Sequence, residues 1–279
     1  MKEALRDFKE GTGQKTVDLT GRLLAENPRM LDLWELRSLA LLRLGRTDES
    51  LAALKKVLEL APPGATHYLR EVASQCLDMG RVDDAVKHAQ AAKALGDGAA
   101  SEILSRAFLA RGDLAGAEAE ARVFLSGRGN ESKGSLLLAR IQAKRGDLAG
   151  ALALTEKAMP PDGRGLPPAG LHLLRGDLLA RSSRHQEAEA EFREEIRLFP
   201  ETLKAWESLI ALLAAQERSA DLRATVAALV GTVPGVEPYL SAIRVLSVVG
   251  DEAGARRVRQ EGLQRYPDDP RLRKSFKAA

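Results

Sequence analysis

Cysteine occurs once in the 279 residues, at Cys76, so the chain cannot close a disulfide on itself. Aromatic residues make up 4%, which excludes a core built on a few large anchors. Histidine appears only as His67, His88, His172 and His185, with no metal-ligand spacing and no H-E-x-x-H pair. His172 reads as a core or groove residue. There is no G-x-S-x-G elbow and no cysteine–histidine pairing at a recognisable spacing, so neither catalysis nor a cofactor is expected. Gly11-Thr12-Gly13-Gln14-Lys15-Thr16 lacks the glycine spacing of a phosphate-binding loop and follows a helical stretch instead of a strand. No run approaches the roughly 18 apolar residues of a membrane span, and the charged N-terminus has no secretion-signal core. As written, the sequence suits a cytoplasmic protein.

Strong charge of one sign is missing too, since the formal net charge is +3. The imbalance sits at the end, where Glu252 to Ala279 holds eight basic residues against four acidic ones. A nucleic-acid-binding regulator working through that tail is conceivable. It is disfavoured, because only Tyr266 and Phe276 stand among the basic residues, too few to make a run for base stacking. Scattered carboxylates such as Glu118, Glu120, Glu189 and Glu191 read as solvated faces, not as paired acids. The Arg-Gly-Asp tripeptides at 111–113 and 145–147 belong to turns, and the one at 175–177 lies inside a predicted helix.

What is abundant is repetition. Arg111-Gly112-Asp113-Leu114-Ala115-Gly116-Ala117 returns letter for letter as Arg145-Gly146-Asp147-Leu148-Ala149-Gly150-Ala151. Looser copies lie at 44–50, 79–85 and 249–255. In each, a glycine able to take the left-handed conformation ends an apolar helix. Asp or Thr then follows to cap the next helix. Five places after the turn comes a small residue for a close helix crossing: Ser50, Ala85, Ala117, Ala151, Ala188 and Ala255. The turn glycines Gly11, Gly45, Gly80, Gly112, Gly146 and Gly250 keep a beat near 34 residues, with Ser183 and Glu217 where two more would fall. Prolines at Pro28, Pro62, Pro200, Pro234 and Pro267 close several units. Apolar residues recur at helical spacing, as in Leu33, Leu36, Ala40 and Leu44.

By these residues the chain resembles the tetratricopeptide-repeat (TPR) family over nearly its whole length. The family's opening motif survives in part as Trp34-x2-Arg37-Ser38-x2-Leu41 and Trp206-x2-Leu209-Ile210-x2-Leu213, and only Gly176 keeps the first-helix glycine. The resemblance implies an all-α, right-handed α-solenoid of antiparallel helix pairs. Its units would be about 1–29, 31–64, 66–97, 98–131, 132–168, 169–202, 203–235 and 236–267, with a C-terminal capping helix over 268–279. The proline- and glycine-rich stretch at 160–168 reads as a longer inter-unit loop, or as a hinge dividing 1–159 from 169–279.

The same resemblance implies a non-catalytic scaffold whose first helices line a concave face that holds a partner protein or peptide. Carried over position by position, it selects Arg70, Arg106, Arg140, Lys144, Asp177 and Arg181 as groove candidates, and their mainly basic character suits an acidic partner. No small-molecule substrate and no membrane partner is expected. The family's lysine–asparagine clamp for a C-terminal carboxylate is absent, because the only asparagines are Asn27 and Asn130. An alternative is an accessory segment of a larger bacterial protein, such as a sulfatase-type hydrolase or secretion factor. The clipped first unit and the Ala- and Arg-rich composition motivate that reading.

Overall fold

The computed structural model describes residues 2–10, 13–160, 165–267 and 269–274. Among the described residues every regular element is an α-helix, and there is no strand. The chain divides into two compact units, Met1–Arg145 and Gly146–Ala279.

The first unit holds α1 (Lys2–Glu10), α2 (Gln14–Glu26), α3 (Leu31–Arg43), α4 (Thr47–Leu60), α5 (Thr66–Asp78), α6 (Val82–Ala94), α7 (Ala100–Arg111), α8 (Leu114–Leu125) and α9 (Glu131–Arg145). The second holds α10 (Leu148–Ala158), α11 (Leu171–Arg181), α12 (His185–Leu198), α13 (Leu203–Ala215), α14 (Ser219–Thr232), α15 (Glu237–Val248), α16 (Glu252–Arg265) and α17 (Pro270–Arg273). Within each unit every helix packs on its successor. First helices also touch the next first helix, as in α5 with α7 and α11 with α13. Each helix pair therefore buries its apolar stripe against its neighbours, as a repeat array must.

Small residues set how closely the pairs approach. Ser50, Ala85 and Ala117 in the first unit and Ala151, Ala188 and Ala255 in the second are all buried. The Ser50 hydroxyl donates to the Ser38 carbonyl across a pair at 2.9 Å, and Ser105 donates to the Ala117 carbonyl at 2.8 Å. At Gly176 a Cβ would stand 2.4 Å from Phe192, which accounts for the one first-helix glycine of the opening motif that this chain keeps. Cys76 fills core space, and burial pushes its thiol up to about 11.

The turns inside the pairs share one closure. The N–H of the residue after the left-handed position donates to the carbonyl five residues earlier: Arg46 to Leu41, Arg81 to Cys76, Asp113 to Phe108, Arg184 to Leu179, Arg218 to Leu213 and Asp251 to Leu246. This is the Schellman geometry, which favours glycine at the positive φ. The expectation that Asp or Thr caps every following helix needs correction. Asp113, Asp147 and Asp251 do so, accepting from Gly116, Gly150 and Gly254 at 2.9, 2.8 and 2.9 Å. In four turns the cap position is Arg46, Arg81, Arg184 or Arg218 and makes no side-chain cap. Each of these arginines instead holds the acid three residues on, Glu49, Asp84, Glu187 or Asp221.

At the C-terminus α17 is a single turn. Asp269 caps it, and Leu272 is buried beside Gly262. Asp268 and residues 275–279 of the expected capping helix lie outside the described residues. So do Gly11 and Thr12 and residues 161–164 of the proline-rich stretch.

Candidate functional site

The groove candidates all lie on first helices. Arg70 is on α5, Arg106 on α7, and Arg140 and Lys144 on α9, all in the first unit. Asp177 and Arg181 are on α11, in the second unit. Helical spacing places Arg140 and Lys144 one turn apart on one face, as it does Asp177 and Arg181.

The structure gives most of these charges partners within the chain. Arg70 reaches Asp97, in the turn before α7, at 2.5 Å. Arg106 reaches Asp78 on α5 at 3.4 Å, linking neighbouring first helices. Arg181 and Asp177 pair along α11 at 3.6 Å. Arg140 is half-buried, and Lys144 is exposed at the last turn of α9. The two aspartates that answer Arg70 and Arg106 are not four residues away along one helix, so only the register of successive helices brings them in.

Electrostatics along this face change sign. Burial raises the Asp78 carboxyl above its ordinary range, and Arg106 opposes that rise. Burial also raises Glu35 on α3, and the nearby carboxylates of Glu71 and Asp32 add to it. The α3–α5 end thus sets Glu35, Glu71 and Asp78 beside Arg70, while α7 carries Arg106 beside Glu102 and α9 carries Arg140 and Lys144. Half-exposed guanidiniums held by single partners can exchange them for a visiting carboxylate at small cost, because such exposed pairs are worth about 0–1 kcal/mol. Among the described residues no group of histidine, cysteine or carboxylates could hold a metal ion.

One reading of other polar residues changes. Glu118, Glu120, Glu189 and Glu191 are not solvated; each is 16–18% exposed and tied across helices, to Arg145, Lys93, Arg218 and His172 respectively. Arg218 is the main cause that holds the Glu189 carboxyl below its usual range. His172 is buried, with Nδ1 2.6 Å from Glu191. Sequence reasoning missed Glu195, which is fully buried on α12. It accepts from the Gly170 and Leu173 N–H groups at 2.7 and 3.3 Å, capping the start of α11 from another helix. A carboxylate 25 residues from the N–H it serves leaves no local signal.

Comparison with known proteins agrees with this geometry. A tetratricopeptide-repeat family profile matches residues 19–65 and 173–236. No curated protein sequence matches the chain. Among solved structures, PilW, a widely conserved type IV pilus biogenesis factor, is similar with TM-score 0.54 and 14% identity, covering 76% of this chain and 98% of its own. The pilF protein of Pseudomonas aeruginosa gives 0.52 and 15%, covering 75% and 95%. A thermophilic TPR protein of Thermus thermophilus gives 0.50 and 19%, also covering 75% and 95%. At such identities these likenesses speak to fold alone. The 34-residue beat, the paired helices and the matched segments in both units agree: residues 19–65 and 173–236 match tetratricopeptide repeats, and the fold is similar to that of solved tetratricopeptide-repeat structures.

Proposed function

We propose that the protein is a non-catalytic scaffold that holds a segment of a partner protein against the first helices of its repeats, and that the partner segment is acidic. The observation that carries this reading is the basic stretch on α7 and α9, where Arg106 is 31% exposed and meets Asp78 at 3.4 Å. A rigid helical face costs a docking peptide little further ordering of the protein. An incoming Asp or Glu would replace Asp78 beside Arg106 and extend to Lys144. Arg70 and the Asp177–Arg181 pair would contribute contacts on the first-helix faces of their own units.

The test is a mixed-sequence peptide array probed with the parent protein and with the Arg106→Glu/Arg140→Glu variant. Retained peptides should be enriched in Asp and Glu. The charge reversal should lower their retention by about tenfold or more, the effect of losing roughly 1.4 kcal/mol, with unchanged circular dichroism. Retention that shows no acidic bias, or that survives the reversal, would remove the basis for this assignment.

A further inference from the structure

Two repeats of the chain run in register 172 residues apart, so that Trp34 matches Trp206, Pro28 matches Pro200 and Arg46 matches Arg218. Both indoles sit alike, donating to the proline carbonyl six residues back at 2.9 and 2.8 Å. What lies beside the two rings differs. In the first unit Arg37 crosses from α3 to α2 over Gly21. Its Nη1 would be 3.1 Å from a Cβ at that glycine, and it donates to the Val17 carbonyl at 2.7 Å. In the second unit Leu209 takes the place of Arg37 and cannot reach across. Ala228 takes the place of Lys56, and Arg193 and Arg197 stand where Gly21 and Ala25 stand.

The result is a groove of about 460 Å³ on the second-helix side of the second unit, between α12 and α14 and floored by α13. That volume falls within the ~300–1,000 Å³ of ligand-sized clefts. Trp206 and Leu209 form the floor, and Ile196, Ala224 and Ala228 form apolar walls. The lips differ in charge. On the α14 side Asp221 is taken by Arg218 at 2.6 Å. On the α12 side Arg193 and Arg197 are 53% and 66% exposed and, among the described residues, pair only along their own helix, with Glu189 and Glu194. Glu189 is held independently by Arg218 at 2.5 Å, so Arg193 can turn away without stranding it. Exposed same-helix pairs are weak and do not compete with a better-placed acceptor.

We propose that this groove is a docking site for a short acidic segment of another protein, which inserts a large apolar side chain between Ile196 and Ala228 and lays a carboxylate against Arg193 and Arg197. The site is separate from the first-helix face and does not depend on that reading. In the repeat that contains Trp34, the chain's own Arg37 lies over Gly21, the counterpart of Arg193 at the α12 lip. The open copy differs from it by the loss of that arginine and the gain of two cations.

The experiment is fluorescence polarisation of the whole chain with a fluorescein-labelled peptide in which a phenylalanine–leucine pair is flanked by aspartates. Its controls carry lysines for the aspartates, or serines for the apolar pair. Ala228→Trp should weaken binding of the acidic peptide by roughly tenfold or more, and Arg193→Glu/Arg197→Glu should do the same. Both controls should bind as weakly, and the effect of either change should persist when it is made in the Arg106→Glu/Arg140→Glu background, where the first-helix face is silenced. Ala224→Trp, on the same exposed wall, serves as a second plug should the first variant misfold. In that background, no binding of the acidic peptide, binding indifferent to both plugs, or equal binding of the lysine peptide would each overturn the assignment.

Discussion

Ser183 and Glu217 hold φ of 60° and 57°, the only positive values among the described non-glycine residues. Both sit where the repeat beat calls for glycine. Both turns close as the glycine turns do, with Arg184 donating to Leu179 and Arg218 to Leu213. The backbone of the turn therefore overrides the side chain, at the steric cost of a left-handed L-residue, about 1–2 kcal/mol. Part of that is recovered on replacement, because glycine itself loses more freedom on folding. Ser183→Gly and Glu217→Gly should each stabilise the protein by about 0.5–1 kcal/mol in urea unfolding. Destabilisation by either would mean that its side chain makes contacts the turn does not reveal. At this scale the sequence was legible where spacing decides and silent where register decides. Counting located Ser183 and Glu217, whereas the partners of Arg70 and Arg106, Asp97 and Asp78, depend on how successive helices dock.

The helix starts show the same division. Every following helix needs negative charge near its first N–H groups, and the chain supplies it in two ways. Where Asp113, Asp147 or Asp251 is the cap, the third residue on is glycine; where arginine occupies that place, the third residue on is Glu or Asp. The glycine leaves the capping carboxylate its place, since a Cβ at Gly116 would lie 2.4 Å from Asp113 Oδ2 and one at Gly150 only 2.1 Å from Asp147 Oδ2, and the carboxylate would have to turn. The Asp–glycine pattern was visible as a repeated heptapeptide. Its charge-reversed counterpart was not, because an arginine at a cap position contributes no cap and its role appears only with its partner. Asp113→Ala should cost about 1 kcal/mol. Gly116→Ala should cost a similar amount in the parent, by expelling the carboxylate, yet gain a few tenths of a kcal/mol in the Asp113→Ala background, where alanine is the better helix former. Equal effects of Gly116→Ala in both backgrounds, by urea midpoint, would show that the cap is not what demands glycine.

Across the whole molecule, the period carried the architecture, while the groove beside Trp206 escaped notice because it arises from four differences on three helices. The same architecture makes stability local: a repeat contacts its neighbours and little else. The two tryptophans report separately, Trp34 in the first unit and Trp206 in the second. Each indole is hydrogen-bonded, so its emission tracks the structure around it. Trp34→Phe leaves Trp206 as the one reporter, and Trp206→Phe leaves Trp34. Leu213 is fully buried in the core of the second unit, and Leu213→Ala should cost about 2–5 kcal/mol there. Placed in each single-tryptophan background, it should lower the urea midpoint seen by Trp206 well below that seen by Trp34. An equal drop at both indoles would mean that the array unfolds as one cooperative body, with its stability shared along the full chain instead of held repeat by repeat.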